Sequence, residues 1–412
     1  MTEALILGGV RTPIGRYGGS LSHLRLDDLL GQTMVAACER VGMPLERIED
    51  IAAGCVNPAH EGMGDVARWA ALAAGFSDSV PASTVNRFCA SSPTAAISIS
   101  HAIRCGELGV GLAGGVESMS RSGWAYMKGD APFSPRGPVL LLDTMWAGAG
   151  GPPHPALLAR GVYVEVVKTA QNVADRYQLS REEIDAFALR SHLLAAAARD
   201  SGRLAAEMHP VEIAATRRTP ATLFEHDESI RGDTTAEKLA ALPAQPNTTQ
   251  MTAGNSSPLN DGASAIVLAS DAVAGTMGLE PLARVVSSAT YALDPQFMGI
   301  APAFAMPAAL ARAQLSPADI DVWEVHEAFL AQALGVLREL PRQLDGFEVP
   351  DDRLNPNGGA VALGHPFGSS GTRYVLSLAT GLRLRDARFG ILGVCVGSGQ
   401  GVALAIENPR AA

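Results

Sequence analysis

The sequence predicts an α/β layered fold, in which helices cover the faces of a largely buried sheet. Apolar runs of strand length alternate with longer segments whose apolar residues recur at helical spacing, which is the pattern of α/β proteins. The composition supports a packed core, because 47% of the residues are hydrophobic and only 18% are charged. The 43 glycines follow no repeat, so the chain is globular rather than fibrous.

In the first part of the chain, strand-like and helical segments follow each other in order. Strands are predicted at 4–7, at 51–56, in a run that ends at Val85 and at 109–120, and helices at 24–41 and 91–103. The strand that ends at Val85 is expected to be buried. The first helix ends before Gly42, as glycine commonly follows a helix.

The middle of the chain has a different character. Residues 122–161 are dense in glycine and proline, so regular structure is interrupted there and a lid or excursion is expected. A clear helix follows. Ser180 and Glu183 form an S-x-x-E capping box, apolar residues from Ile184 onward make its inner face, and Gly202 ends it.

The strand-turn-helix plan returns from about Ala263. "SAIVLAS" and "DIDVWEV" predict strands, the second ending at His326, and Ser316-Pro317 opens a short helix before it. "RFGILGVCVGSGQGVALAIE" predicts a hairpin near the C-terminus. The glycine-rich strands at 109–115 and 389–397 occupy matching places in the two halves, which indicates an internal duplication.

Charge and cysteine usage exclude several classes of protein. The net charge of −10 and the pI of about 5.4 disfavour nucleic acid as a partner. No apolar stretch reaches the length of a membrane span and no basic leader opens the sequence, so a cytoplasmic protein is expected. The five cysteines are odd in number and widely spaced, and no Cys or His pairs have zinc spacing. Neither a disulfide framework nor a bound metal is therefore predicted.

"VNRFCASS", residues 85–92, places Cys89 in a turn between a strand and a helix. Backbone N–H groups at a helix N-terminus carry partial positive charge, so a thiol near them is expected to lose its proton more easily than usual. Cys89 is therefore a candidate nucleophile. The alternative is a buried structural cysteine, because free cysteine packs as a small hydrophobe.

Two further candidates lie in glycine-rich segments near the C-terminus. His365, in "GGAVALGHPFGSSG", stands between Gly364 and Pro366, where the backbone can approach a ligand closely. Cys395, in "GVCVGSGQG", ends a predicted strand. Both residues have a structural alternative, a satisfied polar histidine and a core cysteine. "GSGQG" does not open a helix in a βαβ unit, so it is not interpreted as a phosphate loop.

Together these segments resemble the thiolases, the coenzyme A-dependent enzymes that make or cleave 3-ketoacyl thioesters. Seven motifs in order carry the resemblance: "RTPIGRYGGSL", "VNRFCASS", "AGGVESMS", "TAGNSSPLNDGASA", "VHEAF", "GGAVALGHPFGSSG" and "CVGSGQG". The resemblance implies a five-layered (αβαβα) fold of two similar halves. The N-terminal half would span 1–121, completed by about 253–275, and the C-terminal half 276–412. Residues 122–252 would form a loop domain over the coenzyme A site.

The resemblance also implies the catalytic roles. Cys89 would carry the acyl group, His365 would remove its proton and help to bind the thioester oxygen, and Cys395 would be the second acid or base. The family's N-E-A-F asparagine, which holds a water, is replaced here by His326 in "HEAF". The backbone N–H groups of Cys89 and Gly397 would form a second oxyanion site.

The remaining implications concern ligands and assembly. Ser257 would bind the pantetheine arm of coenzyme A, and Phe329 and Met298 would line the pocket. Coenzyme A would be a substrate, with no permanently bound cofactor and no metal. The family's members are dimers or tetramers, so a homodimer or homotetramer is expected.

Three functions remain open from the sequence. "HEAF", Phe367 and Gln400 resemble thiolase subunits of fatty acid oxidation complexes, which favours a degradative 3-ketoacyl-CoA thiolase and leaves room for a hydratase/dehydrogenase partner chain. The second function is a biosynthetic acetyl-CoA acetyltransferase. The third is a catalytically inactive thiolase-like scaffold that binds acyl-CoA, which the substitution at His326 keeps open.

Overall fold

Two similar sheets and three layers of helices make up the protein, as seen in a computed structural model that describes residues 2–57, 60–62, 64–125, 141–145, 154–160, 165–215, 217 and 220–411. The strands are β1 Ala4–Arg11, β2 Gly15–Arg16, β3 Asp50–Gly54, β4 Ala82–Val85, β5 Val110–Ser118, β6 Trp124–Ala125, β7 Leu142–Asp143, β8 Val211–Ile213, β9 Thr222–Phe224, β10 Asn260–Ser270, β11 Ala283–Ala292, β12 Ile320–Val325, β13 Phe389–Val396 and β14 Gln400–Glu407.

The α-helices are α1 Leu26–Val41, α2 Val66–Ala73, α3 Ser91–Cys105, α4 Pro155–Ala159, α5 Val166–Tyr177, α6 Arg181–Asp200, α7 Ala236–Ala240, α8 Asp271–Met277, α9 Pro302–Ala313, α10 Leu330–Gln343, α11 Ala360–Leu363 and α12 Phe367–Arg385. Short 3₁₀ helices span Leu45–Arg47, His60–Gly62, Ala205–Glu207, Pro295–Ile300, Pro317–Asp319 and Asp351–Arg353. No helix of the described residues is long and apolar enough to cross a membrane.

The two sheets have the same strand plan. In the N-terminal sheet the order is β4-β3-β5-β10-β1, where β4, β3 and β5 are parallel and β10 runs antiparallel to both of its neighbours. In the C-terminal sheet β12 and β13 are parallel, β14 is antiparallel to β13 and β11, and Leu354 forms a parallel bridge to β12 at the outer edge. The sheets meet at a short pairing between β1 and β11.

Five layers follow from how the helices pack on these sheets. Helices α1 and α2 cover the outer face of the N-terminal sheet, and α9 and α10 cover that of the C-terminal sheet. Helices α3 and α12 lie between the two sheets and contact each other. Because the central strands are covered on both faces, they are apolar along most of their length, and all eleven residues of β10 are buried.

Glycines let α12 approach the N-terminal sheet at backbone distance. A Cβ atom built on Gly115 of β5 would lie 2.0 Å from the carbonyl oxygen of Gly368, and one on Gly54 of β3 would lie 2.6 Å from the same oxygen. A Cβ atom on Gly371 would lie 1.9 Å from Pro93 of α3. Any side chain at these positions would push the start of α12 away from the sheet and from α3.

A buried ion-pair network attaches the segment around residues 205–228 to the N-terminal sheet. Arg11, 1% exposed, donates to both carboxylate oxygens of Asp227 at 2.8 and 3.0 Å and to Glu207 at 2.6 Å. The N–H of Ile14 also donates to Asp227 at 2.8 Å. The arginine of the "RTPIGRYGGSL" motif is therefore a structural anchor, since bidentate charged hydrogen bonds fix both partners.

Most element predictions from the sequence are confirmed. Ser180 and Glu183 form the expected capping box at α6, and Gly42 follows α1 in the left-handed conformation. The prediction that the strand ending at Val85 is buried is wrong, because β4 is the edge strand and its residues are half-buried or exposed. Most of the predicted excursion at 122–161 lies outside the described residues.

We predict that Gly115→Ala destabilises the protein by about 3 kcal/mol, because its methyl group would overlap the backbone of α12. The matched control is Gly275→Ala in α8, where an added Cβ meets nothing within 4 Å. This control should stabilise the protein by up to about 1 kcal/mol, the difference in helix propensity. Urea denaturation gives both values. Equal midpoints for Gly115→Ala and the native protein would contradict the packing described here.

Candidate active site

Cys89 lies between the edge strand β4 and the N-terminus of α3, as the sequence predicts. Ala90 is the N-cap residue of α3, so Cys89 directly precedes the helix. Phe88 has a φ of 46°, a left-handed conformation that is uncommon for a residue with a side chain. The backbone is therefore turned sharply just before the thiol, and Cys89 is directed away from the path of β4.

The surroundings of the Cys89 thiol differ from the expectation in one respect. The backbone N–H groups of Gly397 and of Cys89 itself favour the thiolate form of Cys89 and so lower the pKa of its thiol. Although the residue is only half-buried, desolvation by the protein raises the pKa of this thiol to about 12, and the two N–H groups offset only part of this rise. The prediction of an acidified thiol is wrong for the free protein. Cys89 is a neutral thiol there.

His365 is held in one tautomer by its neighbours. Its Nδ1 lies 2.7 Å from Ser370 Oγ, and the Ser370 hydroxyl donates its single hydrogen to the carbonyl of Pro366 at 2.9 Å. Ser370 Oγ therefore accepts from Nδ1–H, which leaves the lone pair of the neutral ring on Nε2. Nε2 is buried and makes no hydrogen bond to the described residues. The backbone N–H of His365 donates to Asn260 at 2.9 Å and fixes the loop.

Cys395 and His326 form a second pair beside it. Cys395 is the second-to-last residue of β13, is fully buried, and its Sγ lies 3.3 Å from Nδ1 of His326. Burial raises the pKa of the Cys395 thiol well above its usual value, and a charge on nearby Cys89 would raise it further. The Cys395 thiol is therefore neutral, and so is His326, because burial lowers the pKa of its ring to about 3. Nε2 of His326 is buried without a hydrogen-bond partner among the described residues.

The structure brings the predicted residues of the two halves together. The rings of His326 and His365 lie 4.3 Å apart in an edge-to-face arrangement. Burial lowers the pKa of His326 to about 3 and that of His365 well below its usual value. Two thiols and two neutral imidazoles thus share one desolvated site. Gly397 lies next to Phe88, the residue before Cys89, since a Cβ atom built on Gly397 would lie 3.3 Å from the Phe88 ring.

The residues predicted to bind coenzyme A lie on the segments next to this cluster. The N–H of Ser257 donates to the carbonyl of Ala328 at 2.9 Å, and Ser256 bridges to Phe329. Ser257 and Phe329 are half-buried, whereas Met298 is 2% exposed in the 3₁₀ helix Pro295–Ile300. Ser257 and Phe329 are therefore neighbours, and Met298 is packed in the interior.

Several residues that support the site were not singled out from the sequence. Gln332 of α10 donates to the carbonyl of His326 at 3.0 Å and accepts from the N–H of Ala328 at 3.2 Å, which holds the "HEAF" turn. Glu117 accepts from the N–H groups of residues 56, 57 and 368 at 2.8–3.0 Å, and burial raises its pKa to about 7. Ser370 and Glu117 stand inside recognised motifs, but Gln332 has no local signal.

The described residues contain no group of three or more histidine, cysteine, aspartate or glutamate side chains placed to hold a metal ion. The chemistry of the site follows from its thiols, imidazoles and backbone N–H groups.

Comparison with known proteins agrees with this architecture. Residues 4–272 match the family model of the thiolase N-terminal domain, and residues 279–408 match that of the thiolase C-terminal domain. A beta-ketoadipyl-CoA thiolase of Pseudomonas aeruginosa is 44% identical over 98% of this chain and 99% of its own length.

Two solved structures have the same fold over nearly the whole chain. The acetyl-CoA acetyltransferase of Bacillus anthracis has a TM-score of 0.89 and 38% identity, covering 99% of both chains. The human mitochondrial 3-ketoacyl-CoA thiolase in complex with CoA has a TM-score of 0.89 and 33% identity, covering 99% of this chain and 98% of its own. The five-layered fold predicted from the sequence is confirmed. This chain belongs to the thiolase family of acyltransferases.

Proposed function

We propose that the protein catalyses thiolytic cleavage of 3-oxoacyl-CoA to acetyl-CoA and a shortened acyl-CoA, with Cys89 as the acyl carrier. The observation that carries this proposal is the convergence of two thiols and a single-tautomer imidazole in one desolvated site. Thioester exchange needs a nucleophile that is also a good leaving group, and a thiolate meets both requirements. Coenzyme A is a substrate in this proposal, and no further cofactor takes part.

In the first half-reaction, Cys89 attacks the 3-oxo carbon of the substrate while Nε2 of His365 takes the thiol proton. The bond between C2 and C3 then breaks, and its electron pair passes to C2 of the departing acetyl-CoA. The Cys395 thiol protonates C2, which releases acetyl-CoA and leaves an acyl group on Cys89. Because thiol and imidazole are both neutral at rest, proton transfer accompanies formation of the C–S bond.

In the second half-reaction, the Cys395 thiolate takes the proton of the coenzyme A thiol. The coenzyme A sulfur attacks the acyl carbon, Cys89 leaves as a thiolate, and His365 returns its proton. In this proposal the N–H groups of Cys89 and Gly397, which lower the pKa of the Cys89 thiol, stabilise the charge on the thioester oxygen. Removing one such preorganised donor typically costs about 3 to 4 kcal/mol of transition-state stabilisation.

We propose that the acyl chain of the substrate ends in a carboxylate. The name of the Pseudomonas relative, beta-ketoadipyl-CoA thiolase, supports this class of substrate. An open cleft of about 530 Å³ is lined by the cation Arg160 and by Ala292–Pro295, in which the Asp294 carboxylate accepts from the N–H of Gln296. The N–H of Leu293, in this cleft, donates to the carbonyl of Gly399 at 2.7 Å, two residues beyond Gly397. In this proposal Arg160, the cation of the cleft, binds the distal carboxylate.

Two alternatives remain. The similarity to an acetyl-CoA acetyltransferase favours a biosynthetic reaction on acetyl-CoA. The replacement of the usual asparagine by His326 favours an inactive acyl-CoA-binding scaffold. Nδ1 of the neutral His326 ring lies 3.3 Å from Cys395 Sγ, and this contact supports a catalytic role for both residues. The longer-chain fatty acid oxidation enzyme expected from the sequence is a variant of the leading proposal and differs from it in substrate.

We propose that the protein is a homo-oligomer assembled through its edge strand. Among the described residues no strand pairs with the outer side of β4, and unpaired strand edges readily bind another strand. Phe88 and Trp69 are 43% and 57% exposed next to it. A second copy would cover these apolar side chains.

We predict that incubation with radiolabelled succinyl-CoA, the shortened acyl-CoA that 3-oxoadipyl-CoA would give, acylates Cys89, and that Cys89→Ser abolishes the label. The Cys395→Ser variant should still be acylated at Cys89 but should lose at least about a hundredfold in thiolysis, because it lacks the second acid and base. Peptide mass spectrometry locates the label. An unlabelled native protein would support the scaffold, and label that persists in Cys89→Ser would contradict the assigned nucleophile.

We predict that the rate of inactivation by iodoacetamide rises about tenfold per pH unit between pH 6 and 9, because only the thiolate reacts and the pKa of Cys89 is raised to about 12. The experiment uses a Cys105→Ser background, which removes the exposed thiol. A plateau of the rate between pH 7 and 8 would reveal a thiolate–imidazolium pair at rest and contradict the neutral pair.

We predict that kcat/KM for 3-oxoadipyl-CoA exceeds that for 3-oxohexanoyl-CoA, which has the same chain length without the carboxylate, by about tenfold or more. Arg160→Ala should remove this preference and leave 3-oxohexanoyl-CoA unaffected. The matched control is Arg176→Ala, an exposed arginine that lies over Phe297 at 5.0 Å. A preference for acetoacetyl-CoA would favour the acetyltransferase, and an unchanged preference in Arg160→Ala would exclude Arg160 as its source.

A further inference from the structure

Asn260, the first residue of β10, joins three separate segments of the chain. Its side chain is fully buried. The amide Oδ1 accepts from the backbone N–H of His365 at 2.9 Å, and the amide Nδ2 donates to the carbonyl of Gly15 at 2.9 Å and to Ser229 Oγ at 3.1 Å. These partners fix the orientation of the amide, because a backbone N–H can only donate and a backbone carbonyl can only accept.

Gly364 brings the backbone of His365 directly against this amide. Its φ is 112°, a value that residues with a side chain rarely adopt. A Cβ atom built on Gly364 would lie 2.6 Å from the side chain of Ile14 and 2.8 Å from Cγ of Asn260. The glycine therefore lets the loop lie on the amide, and the place of the His365 N–H follows from the place of Asn260.

The two segments that the amide nitrogen contacts are fixed to each other. The N–H of Ile14 donates to Asp227 at 2.8 Å, and the N–H of Glu228 donates to the carbonyl of Ile14 at 3.0 Å. Gly15 and Ser229 directly follow these residues in the sequence. The amide nitrogen is therefore held by a rigid support that the "RTPIGRYGGSL" motif provides.

We propose that Asn260 is a positioning residue, which fixes the backbone of His365 and thereby the distance between its imidazole and the Cys89 thiol. Ser370 holds the ring at Nδ1, and Asn260 holds the backbone of the same residue. With both ends of His365 bonded, its Nε2 has one defined place. A proton passes only between groups within hydrogen-bonding reach, and a misplacement of about 1 Å can cost about a hundredfold in rate.

The link to proton transfer rests on the proposed function, in which Nε2 of His365 takes the proton of Cys89. The hydrogen bond between Asn260 and His365 does not depend on any reaction, so it can be measured without substrate.

Asn408, which follows β14, provides a matched control. It is 1% exposed, its Nδ2 donates to the carbonyl of Ala387 at 3.1 Å, and its Oδ1 accepts from the N–H of Arg410 at 3.1 Å. These partners lie outside the candidate active site. Asn408→Ala therefore removes a comparably buried and bonded amide and measures the cost of that loss alone.

The first test follows hydrogen exchange of the His365 N–H by NMR in protein labelled with ¹⁵N-histidine, with His365→Asn to identify the signal. The native N–H should exchange slowly, because its hydrogen bond must open first. Asn260→Ala removes the acceptor and should raise the exchange rate by about tenfold or more. Asn260→Asp keeps an acceptor oxygen and should preserve the protection, as should Asn408→Ala.

The second test is the thiolysis of 3-oxoadipyl-CoA. Asn260→Ala should lower kcat by about tenfold or more and leave KM within about twofold, because it disturbs the reacting geometry rather than the binding of substrate. Asn260→Asp should retain more of kcat than Asn260→Ala. Asn408→Ala should keep the native kcat even where it lowers the Tm by a similar amount.

Three results would overturn the proposal. They are rapid exchange of the native His365 N–H, native kcat in a folded Asn260→Ala variant, and an equal loss of kcat in Asn260→Ala and Asn408→Ala. The last result would make lost stability the cause. Thermal unfolding establishes that each variant is folded.

Ser229→Ala is the milder variant if Asn260→Ala does not fold. It removes one partner of the amide nitrogen and should raise the exchange rate of the His365 N–H by a smaller factor, and an unchanged rate would overturn the proposal. If the native protein cleaves no 3-oxoacyl-CoA, the proposed function fails, and hydrogen exchange still decides whether Asn260 holds His365.

Discussion

The backbone contact between the first turn of α12 and strands β3 and β5 is the constraint on which the site depends. Gly54, Gly115 and Gly368 leave no room for a side chain there, and Gly371 packs equally closely on Pro93 of α3. Glu117 reinforces the contact, because its carboxyl accepts from the N–H of Gly368 and from two N–H groups that follow β3. Since Cys89 precedes α3 and His365 precedes α12, this contact sets how closely thiol and imidazole approach each other.

The similarity of the two sheets explains why the site lies where it does. Each half places two parallel strands, an antiparallel strand and one inner helix in the same order. The inner helices α3 and α12 meet between the sheets, and each is preceded by a functional residue, Cys89 or His365. Cys395 is the second-to-last residue of β13, the strand that corresponds to β5 in the other half. The duplication therefore brings candidate catalytic residues that are almost three hundred positions apart in the sequence to one interface.

Desolvation determines the resting state of this interface. Burial raises the pKa of both thiols and lowers that of both imidazoles, so the groups meet as neutral partners. Neutral partners can be buried without the large penalty of an ion pair. In the proposed reaction the N–H groups of Cys89 and Gly397 would stabilise the charge that develops on a bound thioester.

The order of the motifs by itself determined the family, the fold and the positions of Cys89, His365 and Cys395 at element boundaries, because such signals are local. The capping box at Ser180 is an example of the same kind. Only the tertiary structure decided that desolvation raises the pKa of the Cys89 thiol, that β4 is an edge, and that Gln332 holds the "HEAF" turn. Desolvation and electric fields are set by residues that are distant in sequence and close in space, so no single motif contains them.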